Sequence, residues 1–323
     1  MKAVRVHQFG GPEVLTYEDA PEPELAPGDV LVRMQVIGVN YSDTHYRRGS
    51  YSTSVPLIPG HEGGGSVLEL GEGVTGFNPG DNVVFSGQHR RGTYKEIMSV
   101  PAQDLVKVPG DIGVKLATAV LNQGRTAHYL VQDVHPLKAG ERVLIHAAAG
   151  GVGSNLVQMA KQAGAYVYAT VSSIQKADFA TELGADEVIL YTDVDFEDEI
   201  KARTSGAGVD VVFDALGGEY LLKSMRCLAP RGHVVTYGQT AGHPPPLDWP
   251  QRGLGSLYLS YHTGADYTHA DGEAVARAED LFRWMREGSL KVHVHAELPL
   301  SQASEAHRAI ESRETIGKLL LIP

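Results

Sequence analysis

The sequence predicts an α/β protein in which a doubly wound parallel sheet is inserted into a β-rich domain. Three observations support this fold class. Residues 1–122 hold short apolar runs separated by glycine and proline, residues from about 124 onward alternate strand and helix patterns, and the tail after 262 contains no further βαβ unit. At 323 residues the chain exceeds the usual size of one domain. We therefore predict one domain from residues 1–123 and 263–323 and another from 124–262.

The first domain is predicted from the even spacing of its short strands. Turn-rich segments such as PEPELAPGD and LGEGVTGFNPGD separate them, which is typical of a small barrel or sandwich. The predicted strands cover residues 2–7, 30–39, 65–70, 82–85 and 94–100.

The second domain is predicted from a βαβ unit at 142–176. The seven residues at 143–149, VLIHAAA, are apolar apart from His146 and precede a glycine cluster, after which Val152, Leu156, Met159 and Ala160 fall on one helical face. A helix at 127–133 is expected before this unit, and the tail is expected to add two helices and two strands. Further strands are predicted at 165–171, 187–191, 209–215, 233–238 and 256–261, which gives a sheet of six strands with the first.

The turn of this unit has the composition of an anion-binding site. Gly150, Gly151 and Gly153, with Val152 among them, lack the Cβ atoms that would keep a pyrophosphate away from the backbone. The first N–H groups of the following helix lack intrahelical acceptors and can donate to an anion. We therefore predict that this turn binds a dinucleotide.

The residues after the second strand indicate which dinucleotide binds. About 20 residues beyond the turn, an NAD-binding unit places an acidic residue on the ribose hydroxyls. Here the chain has Ser172 and Ser173, with Lys176 one turn later. Two hydroxyls and a cation suit a 2′-phosphate, which a carboxylate would repel. The prediction is therefore NADP(H) rather than NAD(H).

Composition disfavours several classes of function. Lysine and arginine number 28 against 39 acidic residues, a net charge of −11, and no basic run of five occurs, so nucleic-acid and membrane binding are not expected. Cys227 is the only cysteine, which excludes an intrachain disulfide and fits a reducing compartment. No signal-like or membrane-spanning apolar segment is evident, so we expect a cytoplasmic protein.

Five segments of the chain form a recognisable set of motifs: GVNYSD at 38–43, PGHEGGG at 59–65, GVTGFNPGD at 73–81, HAAAGGVG at 146–153 and the closing ESRETIGKLLLIP. Together they resemble the medium-chain dehydrogenase/reductase superfamily, and within it the NADPH-dependent quinone oxidoreductases of the zeta-crystallin-like group. The resemblance covers essentially the whole chain. It implies a GroES-like catalytic domain, an inserted Rossmann domain, a cofactor bound between them, and a homodimer.

The resemblance also implies roles for particular residues. It puts Asn40 beside the nicotinamide on the substrate side, and it assigns Tyr191, together with Ser172 and Lys176, to the adenosine phosphate. Arg313 resembles a residue near the cofactor.

One motif raises an alternative that involves a metal. PGHE is the form found in zinc alcohol dehydrogenases, whose His and Glu belong to the catalytic metal site, so His61 and Glu62 suggest zinc, with His45 and His89 as further ligands. However, Asn40 stands where the first catalytic cysteine would be, and a four-cysteine structural lobe is absent. We therefore expect no metal.

Without zinc, hydrogen-bond donors must stabilise the negative charge that hydride transfer leaves on the substrate oxygen. The candidates are the Asn40 amide, Tyr46, Tyr51 and His61, with Asp43 orienting its neighbours. We predict a zinc-independent reductase of quinones, with an NADPH-dependent reductase of enones, enoyl thioesters or haloacrylates as the alternative. The alternative from a different functional class is an RNA-binding or structural protein that keeps residual affinity for NADPH. The apolar strand at 255–262 is a predicted sheet edge through which two copies would pair.

Overall fold

The computed structural model describes residues 1–87, 91–247, 254–268 and 272–323. Within these residues the chain divides into two compact units. The first unit comprises Met1–Arg125, Thr268–Gly288 and Val292–Pro323, and the second comprises Thr126–Tyr267 and Ser289–Lys291.

The secondary structure of the described residues is as follows. The strands are β1 (Lys2–Val6), β2 (Leu15–Asp19), β3 (Asp29–Val39), β4 (Glu62–Leu70), β5 (Asn82–Ser86), β6 (Ile97–Pro101), β7 (Val106–Lys107), β8 (Arg142–Ile145), β9 (Tyr166–Val171), β10 (Glu187–Leu190), β11 (Val209–Asp214), β12 (Leu228–Thr236), β13 (Tyr258–Tyr261), β14 (Val294–Pro299) and β15 (Lys318–Ile322). The helices are α1 (Tyr41–Arg48), α2 (Val114–Tyr129), α3 (Gly151–Gln162), α4 (Ile174–Glu182), α5 (Phe196–Arg203), α6 (Tyr220–Arg226), α7 (Glu273–Arg286) and α8 (Ala303–Glu311).

The first unit is built around β3. In its described part, β3 pairs antiparallel with β4, β6 and β15, within a sheet ordered β14-β15-β3-β4-β5-β7. Strands β1 and β2 form a separate two-stranded sheet. Buried residues of β3, including Val30, Val32 and Ile37, pack in the core of this unit with Phe85, Val100 and other apolar side chains. The predicted β-rich first domain is confirmed.

The second unit contains the predicted parallel sheet. Its described strands run in the order β10-β9-β8-β11-β12-β13, and every neighbouring pair is parallel. The chain reverses its direction of progress through the sheet between β8 and β11, which is the point where ligands bind in doubly wound folds. The predicted six-stranded doubly wound sheet is confirmed.

Two helices differ from the sequence-based expectation. No helix was predicted within residues 1–122, yet α1 begins directly after Asn40, whose backbone N–H donates to Asp43 at 2.9 Å and so caps the first turn. A helix was predicted to begin at residue 127, but the observed helix α2 begins earlier, at Val114. Gly124 therefore lies inside this helix rather than at a boundary. A Cβ there would sit 2.9 Å from Leu281 Cδ1, so glycine permits close packing of α7.

None of the helices in the described residues is long and apolar enough to cross a bilayer.

Candidate active site

Strand pairing brings the first-unit candidates together. Ile37 of β3 lies opposite Gly63 of β4, so the end of β3 adjoins the start of β4. Asn40 follows the first of these strands, and His61 immediately precedes the second. Their neighbours complete a set that we call the buried polar cluster. Its members are Asn40, Asp43, His61, Glu62, Tyr94, Asn122, His307 and Lys318.

Asp43 is the centre of one half of this cluster. Its Oδ1 is 2.9 Å from His61 Nδ1, while its Oδ2 accepts from the Asn40 backbone N–H at 2.9 Å and from the Tyr94 hydroxyl at 3.2 Å. Burial alone raises the pKa of the Asp43 carboxyl, but the charge of His61 and its hydrogen bond outweigh this effect and hold that pKa below its usual value. The carboxylate is thus ionised and accepts the Nδ1 proton of His61. Nε2 is then the ring atom that can exchange a proton with a substrate.

A chain of donors leads into Asp43 from the opposite side. Arg47 NH1 lies 3.2 Å from His307 Nδ1, and Arg47 NH2 pairs with Glu311 at 2.6 Å. Because a guanidinium can only donate, His307 carries its proton on Nε2, which lies 3.0 Å from the Tyr94 hydroxyl. Burial lowers the pKa of His307 to about 4, so its ring is neutral at pH 7. Tyr94 therefore accepts from His307 and donates to Asp43.

Asn40 is the centre of the other half. Its Nδ2 donates to Glu62 Oε2 at 3.0 Å and makes a long contact of 3.4 Å with the Gly38 carbonyl. Its Oδ1 accepts from Asn122 Nδ2 and from Lys318 Nζ, each at 3.0 Å. The amide is thus fully engaged within the protein and only 4% exposed. The hydrogen directed at Gly38 is the more weakly held of the two, so it is the one that a ligand oxygen could take.

Glu62 and Lys318 form a buried ion pair that the sequence analysis missed as a site feature. Lys318 Nζ lies 2.5 Å from Glu62 Oε2, and the two residues are 1% and 0% exposed. Glu62 Oε1 accepts from the Asn122 backbone N–H at 2.8 Å. Gly38 makes room for the carboxylate, because a Cβ there would be 2.1 Å from Oε2. The available signal was a lysine opening the apolar strand KLLLI, where an unpaired charge would be very unfavourable.

Tyr46 and Tyr51 lie in an aromatic cluster. The rings of the two tyrosines meet edge to face with centroids 5.2 Å apart, and Tyr51 stacks on His45 at 4.7 Å. The Arg91 guanidinium lies 4.3 Å from the centroid of the Tyr46 ring. Both tyrosines are therefore held in place by packing, as substrate-lining residues would need to be.

The residues that suggested zinc are engaged in other contacts. Glu62 accepts from a lysine ammonium, His61 faces Asp43, and the amide of Asn40 is a poor zinc ligand. Elsewhere in the described ranges, no group of three or more His, Cys, Asp or Glu side chains could hold a metal ion. His89, the remaining ligand considered, lies outside those ranges.

The glycine turn of the second unit has the geometry that a pyrophosphate requires. Gly150 caps the N-terminus of α3, and Gly151 and Val152 open its first turn. A Cβ on Gly153 would lie 2.2 Å from the Ala147 carbonyl oxygen, so only glycine fits there. Ala147 itself has a φ of 51°, which shows how sharply the chain turns after β8. The residues present therefore fit the phosphates of a dinucleotide.

The predicted 2′-phosphate residues follow two neighbouring strands of the same sheet. Ser172 and Ser173 come after β9, and the Ser173 hydroxyl oxygen accepts from the Lys176 backbone N–H at 3.4 Å as the N-cap of α4. Tyr191 comes after β10 and lines a shallow cavity of about 290 Å³ together with Tyr220 and Lys223. The parallel pairing of β9 and β10 brings both strand ends to one edge of the sheet.

Arg313 belongs to the first unit, as Asn40 does. It lies between α8 and β15, is exposed, and has a φ of 60°. The other predicted cofactor residues all belong to the second unit.

Comparison with known proteins places the chain in a family. Residues 26–110 match the alcohol dehydrogenase GroES-like domain, and residues 183–321 match the zinc-binding dehydrogenase family. The chain is 35% identical to a quinone oxidoreductase of Pseudomonas aeruginosa, over 100% of this chain and 99% of the relative. It is 37% identical to a 2-haloacrylate reductase of a Burkholderia species, over 99% of this chain and 98% of the relative. The structure of Escherichia coli quinone oxidoreductase complexed with NADPH superposes with a TM-score of 0.96 at 34% identity, covering 100% of both chains. The chain belongs to the medium-chain dehydrogenase/reductase superfamily, in its quinone oxidoreductase group.

Proposed function

We propose that this protein is a zinc-independent, NADPH-dependent reductase that transfers hydride to quinones. The observation that carries the proposal is the buried Asp43–His61 pair, separated by 2.9 Å, in a cluster whose other carboxylate is already paired with Lys318. Such a pair can deliver a proton without a metal ion. Relatives named as quinone oxidoreductases in Pseudomonas aeruginosa and Escherichia coli, the second complexed with NADPH, support both the reaction and the cofactor.

The cofactor is assigned to residues that fit its phosphates. Gly150, Gly151, Val152 and Gly153 receive the pyrophosphate, and the 2′-phosphate is assigned to Ser172, Ser173, Lys176 and Tyr191. Asn40 and Arg313 are retained as further cofactor contacts on the resemblance alone. When bound, NADPH supplies the hydride, and the chain supplies position, charge and a proton.

The first-unit residues manage the charge that appears on the substrate. As hydride arrives at a quinone, negative charge collects on an oxygen, which needs a donor and then a proton. His61 Nε2 delivers that proton, and Asp43 stabilises the imidazolium form that donates it. The weakly held Asn40 N–H assists, while Tyr46 and Tyr51 line the substrate. General acids of this kind contribute about 10²- to 10⁴-fold to a rate.

A second candidate function shares the same electronic demand. Reduction of a double bond conjugated to a carbonyl group also leaves charge on oxygen, and the 2-haloacrylate reductase relative favours it. The test is NADPH oxidation with a quinone panel against a panel of enones, enoyl thioesters and 2-haloacrylates. We expect turnover with quinones that His61→Gln reduces strongly. Inactivity on every quinone, with turnover on the other panel, would select the second function.

A binding function is tested in the same preparation. The excess of 39 acidic over 28 basic residues opposes an RNA backbone. Filter binding with RNA across salt concentrations should therefore show no specific retention. Retention without NADPH turnover would make RNA binding the better assignment.

The domain limits and assembly complete the proposal. Residues 1–123 and 263–323 act as the GroES-like catalytic domain and 124–262 as the NADP-binding Rossmann domain, in a cytoplasmic homodimer. The dimer is proposed to form at 255–262, because β13 is the edge of the described sheet and its Tyr258 and Tyr261 are 62% and 66% exposed. Light scattering should give twice the chain mass, and Tyr258→Lys should lower it.

A further inference from the structure

Lys318 reaches the site through the pairing of the last strand with β3. Leu319 lies opposite Val39, so the residue before it in β15 comes beside Asn40. The approach depends on Gly317, which has a φ of 68° and whose added Cβ would be 2.3 Å from the His293 carbonyl oxygen. A glycine at position 317 therefore lets the backbone turn into β15. The next residue, Lys318, then places its ammonium group in the interior of the unit.

Stability alone is a weak reason for this arrangement. A buried ion pair regains in attraction roughly what the two charges lose in hydration, and apolar replacements are often tolerated. Lys318 does more than neutralise Glu62, because its Nζ also donates to Asn40 Oδ1 at 3.0 Å. It therefore contacts a predicted site residue directly.

The pair fixes the orientation of the Asn40 amide. Lys318 can only donate and an ionised Glu62 can only accept, so the amide must present its oxygen to the lysine and its NH₂ to the glutamate. The reversed amide would set Nδ2 against an ammonium and Oδ1 against a carboxylate. Both contacts would be repulsive in a site that excludes water.

We propose that Lys318 is a positioning residue, which acts with Glu62 to hold the Asn40 amide so that an N–H faces the substrate oxygen. The proposal deepens the proposed function and rests on it for the substrate's identity. In this arrangement the Lys318 ammonium is the cation that neutralises Glu62. In the zinc alcohol dehydrogenases the glutamate of the PGHE motif belongs instead to a metal site. A flipped amide would present a carbonyl oxygen to a growing negative charge and would oppose the reaction.

The test separates charge balance from amide orientation. Lys318→Met leaves Glu62 buried without its cation and is expected to destabilise the fold, so the informative variant is Lys318→Met with Glu62→Gln. Removing both charges should restore the melting temperature. We expect kcat to stay about 10- to 100-fold below wild type, the range seen when a group that orients a site residue is lost. The NADPH Kd should change much less than kcat, because Asn40 is only one of the proposed cofactor contacts.

A matched control and the contrary result complete the kinetic test. Lys115 pairs with Glu297 at the surface of the first unit, and Lys115→Met with Glu297→Gln should leave kcat at the wild-type value. A folded double variant at positions 62 and 318 with wild-type kcat would overturn the proposal.

A second measurement keeps this inference independent of the substrate. The chain has five asparagines, so ¹⁵N-asparagine labelling gives few side-chain NH₂ signals, and Asn40→Ala identifies the one from Asn40. Solvent exchange of that NH₂ should be slow in wild type and at least about tenfold faster in the double variant. If wild type reduced no substrate in either panel, the proposed function would fail, and the exchange result would decide the positioning role alone. Unchanged exchange would overturn it.

Discussion

The glycine turn at 147–153 and the buried polar cluster solve opposite problems. The turn works by leaving side chains out, because its backbone must approach a ligand and a Cβ on Gly153 would meet a carbonyl oxygen at 2.2 Å. The cluster works by packing polar side chains from distant parts of the chain until nearly every donor has an acceptor. Binding an anion thus needs a local backbone shape, whereas controlling charge on a substrate needs long-range register.

The largest effect is expected from a substitution that disrupts the glycine turn. Gly153→Ala should weaken NADPH binding about 100-fold, because the overlap of its Cβ with the Ala147 carbonyl oxygen must push the turn out of the backbone shape that receives the phosphates. Fluorescence titration with NADPH measures this affinity. Gly110→Ala is the matched control, because a Cβ there meets nothing within 4 Å. Equal affinities of the two variants would contradict the close approach described for the turn.

The next largest effect is expected from a substitution that disrupts the buried polar cluster. Asp43→Asn should lower kcat about 100-fold, because the carboxylate that supports the His61 imidazolium is lost. Tyr94→Phe removes one hydrogen bond to Asp43 but keeps its charge, so a smaller loss is expected. Steady-state rates at saturating NADPH, with melting temperatures for both variants, provide the check. A larger loss for Tyr94→Phe than for Asp43→Asn would show that Asp43 has no charge-stabilising role.

A smaller effect sharpens the cofactor assignment. Lys176→Ala should weaken NADPH by about 1.5–3 kcal/mol, the size of one charge-assisted contact, and should leave NADH almost unchanged. Calorimetric titration with both nucleotides measures the difference. Lys161→Ala provides the control, because Lys161 pairs with Asp186 on the same unit and is not assigned to the cofactor. Equal losses for the two nucleotides would remove Lys176 from the phosphate site.

The smallest expected effect concerns acid stability next to the turn. His146 is fully buried between the Thr170 and Ser224 hydroxyls, and burial lowers its pKa to about 3. Since this folded pKa lies below the unfolded value of about 6.5, the stabilisation is present above pH 6.5 and is lost as pH falls towards 3. Between pH 6.5 and 5 the loss is about 2 kcal/mol, because the unfolded chain gains a proton that the folded chain refuses.

Urea unfolding at the two pH values tests this contribution. The free energy of unfolding of wild type should fall by more than that of His146→Gln, which has no titrating ring. Identical pH dependence would mean that folding does not lower the pKa of His146, and it would contradict this prediction.

The contrast between the two regions also explains how far the sequence could be interpreted. The strand, turn and helix around Gly150 are contiguous, so their periodicity and glycine content predicted them directly. Asn40, Asp43 and His61 were predicted as candidates, but their hydrogen bonds were not. Tyr94 and His307 enter the cluster only through strand pairing and helix packing, which no local pattern records. Lys318 had one local signal, its position at the start of an apolar strand, but that signal did not show its partners. The start of α2 at Val114 was missed for a related reason, because Gly124 was not expected inside a helix and the side chain it packs against, Leu281, is far along the chain.

The central claim is that the glycine-turn unit sets cofactor affinity while the buried polar cluster sets the rate. The most direct test is the NADPH Kd and the kcat at saturating NADPH for Lys176→Ala and Asp43→Asn. The account predicts a Kd raised about 10- to 100-fold with nearly unchanged kcat for the first variant. For the second it predicts a kcat lowered about 100-fold with nearly unchanged Kd. If each variant changed both quantities to the same extent, this division of roles would be contradicted.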